Sequence, residues 1–192
     1  MNNPELPSLE SRRAITPDLV KPKKLAHLVF RTRQLSKMID WYRTVLGAHI
    51  VFAADEITFL TYDDEHHRIA LMGSNDWTDP APPDSVGFYH VAFTYSGLEQ
   101  LLQTYTRLKG IGILPYYPIV HGPTMSMYYR DPDGNAVELQ IDVFETADEA
   151  TAWMNGEAFR RNPIGVPFDP EDLIHRYEAG EPIARLTKRA DT

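Results

Sequence analysis

Apolar and polar positions along this chain change period several times. Across 25–32 they alternate: Ala26, Leu28 and Phe30 share one side, and His27, Val29 and Arg31 the other. That is the pattern of a strand buried on one face. In the next segment Met38, Ile39, Tyr42, Val45 and Leu46 recur at helical spacing. Ser36 offers this helix an N-cap and Gly47 a stop. Short runs at 49–53, 57–62 and 67–72 then read as strands, and 73–85, rich in proline, reads as a linker.

The same order then returns. Tyr89-His90-Val91-Ala92-Phe93-Thr94 echoes Ala26-His27-Leu28-Val29-Phe30-Arg31. A helix follows, with a Ser96-x-x-Glu99 capping box and apolar Leu98, Leu101, Leu102, Tyr105 and Leu108. It stops at Gly110, which follows His90 by the same interval that separates Gly47 from His27. Three strands come next, around 113–119, 124–130 and 136–143. The last two flank Asp131-Pro132-Asp133-Gly134, a tight turn in which Pro presets φ and Gly takes an angle other residues resist. Internal repetition of this kind outweighs any single local signal. The expected fold is therefore α+β: two tandem βαβββ modules forming an open, barrel-like mixed sheet, with the helices outside. Its parts are an extended arm over 1–24, the two modules over 25–80 and 86–145 as one domain, and a C-terminal helical extension over 146–192. In that extension Thr146-x-x-Glu149 caps a helix running to about Arg160, and Asp169-Pro170 opens another that ends near Gly180.

Composition narrows the chemistry. The formal net charge is -8 over 192 residues with 19 Lys and Arg, and without a basic stripe this argues against nucleic acid or an anionic membrane as partner. There is no cysteine, so disulfides, thiolate nucleophiles and thiolate metal sites are excluded. Neither a signal-peptide pattern nor a long apolar span is present, so the expected setting is cytoplasmic.

One carboxylate stands out. In 136–141, Val137, Leu139 and Ile141 face one way, and Ala136, Glu138 and Gln140 the other. If the helices cover Leu28/Phe30, Val91/Phe93 and Val137/Leu139, then His27, His90 and Glu138 all lie on the opposite face. A buried glutamate with no cation nearby is costly, so a metal there makes physical sense. The competing reading of each histidine alone is a satisfied core residue. Met125, Met127, Tyr116 and Tyr117 read either as core or as the lining of an apolar pocket.

The tandem module, the histidine-bearing first strands and the Asp131-Pro132-Asp133-Gly134-Asn135-x-x-Glu138 stretch resemble the vicinal oxygen chelate superfamily of glyoxalases, bleomycin-resistance proteins and extradiol dioxygenases. The resemblance covers about 24–143. It is closest to the small one-domain type I extradiol dioxygenases that act on 2,3-dihydroxybiphenyl-like catechols. Ala70 stands where a glyoxalase-like fourth ligand would be, and His66-His67-Arg68-Ile69-Ala70-Leu71 is similar to the extradiol His-His motif. The resemblance implies a facial triad of His27, His90 and Glu138 for Fe(II), with Mn(II) able to use the same ligands. It implies His67 as an acid/base, and His121 and Tyr128 as residues flanking the substrate oxygens. A catechol and O2 would be the partners, and the chain a homo-oligomer. Another metal-dependent isomerase or lyase, and a non-catalytic small-molecule binder, are the alternative readings.

Overall fold

A computed structural model describes residues 19–82 and 85–192. Most of the arm expected over 1–24 lies outside the described residues, as do two positions of the linker. The first module runs β1 (Leu28–Thr32), α1 (Leu35–Leu46), β2 (His49–Ala54), β3 (Ile57–Thr61) and β4 (Ile69–Gly73). Its sheet has the order β1-β4-β3-β2, with β1 parallel to β4 and the other pairs antiparallel. The second module repeats this with β5 (His90–Thr94), α2 (Leu98–Lys109), β6 (Tyr117–Val120), β7 (Thr124–Arg130) and β8 (Ala136–Asp142). The C-terminal extension holds α3 (Ala147–Met154), α4 (Glu157–Arg161), β9 (Val166–Pro167), α5 (Pro170–Glu178) and α6 (Ile183–Leu186). It lends β9 to the second sheet, whose order is β5-β8-β7-β6-β9. The fold is α+β, and both sheets stay open rather than closing into a barrel.

Burial follows strand parity. Phe30, Leu60, Ile69 and Leu71 pack in the core with Met38, Tyr42 and Val45 of α1. In the second module Val91, Met125, Met127, Tyr129, Val137, Leu139 and Ile141 join Leu101, Leu102, Tyr105 and Leu108 of α2. Burying each such side chain contributes about 1.5–3 kcal/mol, which sets the register of both sheets. Tyr128 pairs with Glu138 and Tyr129 with Val137, so Tyr129 belongs to the core and Tyr128 to the face away from the helices. Met125 and Met127 are wholly buried and belong to the core.

Several boundaries differ from the sequence expectation. α1 begins at Leu35 and α2 at Leu98, with Gln34 and Gly97 as N-caps that supply no side-chain bond. Ser36 caps nothing, and the Ser96-x-x-Glu99 box does not form. Instead the Ser96 amide donates to Gln100 Oε1 at 3.1 Å. β1 begins three residues later than expected and β6 begins at Tyr117. The Thr146/Glu149 capping box forms as read, but the helix breaks at Asn155-Gly156 and restarts as α4.

The Asp131 turn joins the modules. Asp131 Oδ1 accepts the Asp133 and Asn135 amides at 3.0 and 2.9 Å. Its Oδ2 accepts Asn135 Nδ2 at 2.9 Å and the Tyr42 hydroxyl of α1 at 3.1 Å. Gly134 supplies the left-handed φ of 84° that closes the turn. Gln34 Nε2 adds bonds of 2.7 Å to Pro132 O and Asp133 Oδ1. The turn thus fixes the start of β8, two residues before Glu138, and anchors it to the first module's helix.

Candidate active site

Glu138 sits in the middle of β8, between Ala92 of β5 and Tyr128 of β7. Only 4% of it is exposed. A carboxylate this deep needs partners that carry or share charge. Three groups face it. His90 Nε2 lies 3.0 Å from Oε2 and His121 Nε2 lies 3.9 Å from Oε1. The Tyr128 hydroxyl bridges to His121 Nε2 at 3.1 Å and also faces Glu138. Burial, then the Glu138 charge and hydrogen bond, push the Tyr128 phenol well above its ordinary value. Tyr128 therefore stays a protonated donor at neutral pH. Tyr116 and Tyr117 lie against its ring at centroid distances of 6.2 and 6.1 Å, giving this face an aromatic wall.

The first module gathers a second set. His27 lies just before β1, with its ring 4.3 Å from that of His67. His67 stacks on Phe59 at 4.7 Å and meets His66 Nδ1 to Nδ1 at 2.6 Å. Burial first, then the neighbouring His27 and His66, hold the His67 pKa below its ordinary value. His67 is thus neutral at pH 7 and able to accept a proton.

Of the six candidate residues, the fold brings His90, Glu138, His121 and Tyr128 together and sets His27 with His67. Among the described residues no three His, Cys, Asp or Glu side chains are grouped to hold a metal ion. The donor types suit a divalent first-row cation, two imidazoles and one carboxylate. His90 presents Nε2 to the site, 3.0 Å from Glu138, while its Nδ1 is buried with no hydrogen-bond partner among the described residues. His27 is the member that stands apart. Ala70 pairs with Val29 as Glu138 pairs with Ala92, which makes Ala70 the first-module counterpart of Glu138. His49 and His175 are exposed.

Sequence reasoning missed the residues that hold His121 from the C-terminal extension, chiefly Arg189 and the Ile164 carbonyl. No local pattern marks them, because each lies more than forty positions from His121.

The profile of the Glyoxalase/Bleomycin resistance protein/Dioxygenase superfamily matches residues 24–139, and the chain belongs to that superfamily. Among curated relatives, it is 49% identical over 167 residues to biphenyl-2,3-diol 1,2-dioxygenase 2 of Rhodococcus globerulus, covering 87% of this chain and 88% of the relative. It is 48% identical over 168 residues to biphenyl-2,3-diol 1,2-dioxygenase 3 of the same organism, with the same coverage. The crystal structure of a glyoxalase/dioxygenase from Nostoc punctiforme superposes with a TM-score of 0.53 at 21% identity. That match spans 67% of this chain and 99% of the other, and speaks for the fold alone.

Proposed function

We propose that this chain is an extradiol ring-cleaving dioxygenase that uses Fe(II) and O2 to open a catechol such as 2,3-dihydroxybiphenyl beside its hydroxyls. The observation that carries the reading is the buried Glu138 flanked by His90, His121 and Tyr128 on one sheet face. The two Rhodococcus dioxygenases, alike over nearly nine-tenths of the chain, support it. His90 and Glu138 would hold the ion, with His27 as third ligand. When bound, such an ion supplies the redox chemistry that couples an aromatic diol to dioxygen.

The chain's own groups have separate tasks. His67, kept neutral, accepts a proton from a diol hydroxyl. Tyr128, kept protonated, donates a hydrogen bond to a substrate oxygen. His121 steadies the Tyr128 hydroxyl through Nε2. Tyr116 and Tyr117 offer aromatic surface to the ring. The buried methyl of Ala70, where a second carboxylate would be needed, weighs against a four-ligand lyase. The exposed apolar edge strand, with Ile50, Val51 and Phe52, is consistent with a homo-oligomer, and a cytoplasmic setting completes the reading.

The test is oxygen uptake by protein loaded anaerobically with Fe(II) and offered 2,3-dihydroxybiphenyl, with absorbance followed in parallel. Uptake in step with a yellow ring-opened product is expected. Bound metal without uptake on any catechol would point to isomerase or lyase chemistry, and absence of metal binding to a non-catalytic binder.

A further inference from the structure

His121 directly follows β6, yet its side chain and its backbone are both held by the C-terminal extension. The imidazole Nδ1 faces the Ile164 carbonyl. A carbonyl oxygen only accepts, so Nδ1 carries the proton. In the neutral ring Nε2 is then bare and takes the Tyr128 hydroxyl at 3.1 Å. The Ile164 carbonyl is aimed by Asn162, whose Oδ1 accepts the amides of Ile164 and Gly165 at 3.2 and 2.9 Å.

Arg189 secures the backbone. Its side chain is 1% exposed, a costly place for a cation unless its donors are well used. Nη1 donates to His121 O at 3.0 Å and to Asn162 O at 2.8 Å. Nη2 donates to Ala158 O at 2.9 Å, and Nε to Asp191 at 2.6 Å. One guanidinium therefore ties the residue that carries the imidazole to the turn that receives its proton. Two glycines permit the approach. Gly165, at φ 120°, lies so close to the Val120 carbonyl and the His121 Cα that a Cβ would collide with both. Gly122, at φ 114°, lies so close to the Trp153 ring that a Cβ would collide with it, and that ring also meets the Arg189 guanidinium, 4.9 Å from its centroid.

We propose that the C-terminal extension is a positioning clamp for His121, with Arg189 its positioning residue and the Asn162–Ile164 turn the part that fixes the imidazole tautomer. The clamp presents a bare Nε2 that accepts the Tyr128 hydroxyl before substrate binds, and so holds the phenol in place until its one proton turns to a substrate oxygen. This rests on the reading of His121 and Tyr128 as partners of the substrate oxygens.

The test uses the full chain labelled with 15N-histidine, and the variants Arg189→Gln, Asn162→Ala and His121→Ala. In the unmodified chain, long-range 15N–1H spectra should show His121 with its proton on Nδ1 alone. In both clamp variants the two tautomers should mix. The kcat on 2,3-dihydroxybiphenyl should fall about ten-fold, as for loss of a group that orients a site residue, with KM changed less than about two-fold. Combining either clamp variant with His121→Ala should be no slower than His121→Ala alone. If Arg189→Gln does not fold, Asn162→Ala, which keeps the guanidinium, carries the same comparison. A folded Asn162→Ala with one tautomer and unchanged kcat overturns the clamp, and so do losses that add fully to that of His121→Ala. Unchanged turnover in His121→Ala overturns the catalytic reading instead, while the spectra still decide whether the clamp exists.

Discussion

The two modules follow one path through space with different inventories on the same face. Val29, Ala70 and Phe59 are neighbours across β1, β4 and β3. Ala92, Glu138 and Tyr128 are neighbours across β5, β8 and β7 in the same order. The helix-facing sides of both sheets are alike, with Leu28/Phe30 matching Val91/Phe93 against α1 and α2. The repeat is thus preserved where packing demands it and has diverged where it does not. One module has placed a buried acid and a phenol on its open face, and the other an alanine and a phenylalanine beside a histidine pair. The sheet edges differ as well. β6 is covered by β9, whereas among the described residues nothing pairs with the outer edge of β2, every residue of which is exposed. The lesson is that the fold scaffolds both faces equally, and the chemistry belongs to residues that packing leaves free to change.

The largest effects should come from the second module's acid and imidazole. Glu138→Ala or His90→Ala should abolish both bound iron and turnover, read by metal analysis and oxygen uptake; activity surviving in either would remove the proposed centre. His27→Ala sharpens the comparison, since His27 is the first module's contribution. Its loss should also empty the site, and retained iron would confine the centre to the second module. Tyr128→Phe keeps the ring and removes the donor, and should lower kcat about a hundred-fold with iron retained. In stability the contrast should run between a core and an edge. Leu139→Ala, at a wholly buried position of β8, should cost about 2–5 kcal/mol in urea unfolding. Val51→Ala, on the exposed β2, should stay within about 0.5 kcal/mol.

The smallest effect concerns the tie between the extension and α2. Lys109 Nζ donates to Glu171 at 2.6 Å and the Tyr105 hydroxyl donates to the same carboxylate. Lys109 foremost, and then Tyr105, hold the Glu171 carboxyl below its ordinary 4.5. A lowered carboxyl pKa stabilises the fold above the unfolded value, and that contribution is lost as pH falls through the lowered one. Glu171→Gln should therefore reduce Tm slightly at neutral pH and make no difference once the pH is well below the native value. An equal shift at both would assign the effect to packing rather than charge.

Much of this could be read along the chain. The repeat, the two helices, β7 to the residue and the parity that separates Val137 and Leu139 from Glu138 all follow from local spacing and from the cost of exposing apolar surface. The helix starts could not be read so well, because Ser36 and Ser96 are good capping residues that lie one position past the helix start and one position short of the N-cap, where backbone docking decides. Nor was the break at Asn155-Gly156 read, where Asn155 caps the end of α3 and Gly156 the start of α4.

Local sequence determined the modules, their repeat and the face on which His90, Glu138 and Tyr128 stand, since period and side-chain alternation act between near neighbours. Tertiary structure alone decided which candidates meet. His121 reached Glu138 and Tyr128 because β9 and Arg189 hold it there, whereas His27 came to rest on His67. Such contacts join residues dozens of positions apart, and only the burial of a guanidinium or the close approach of two backbones selects them.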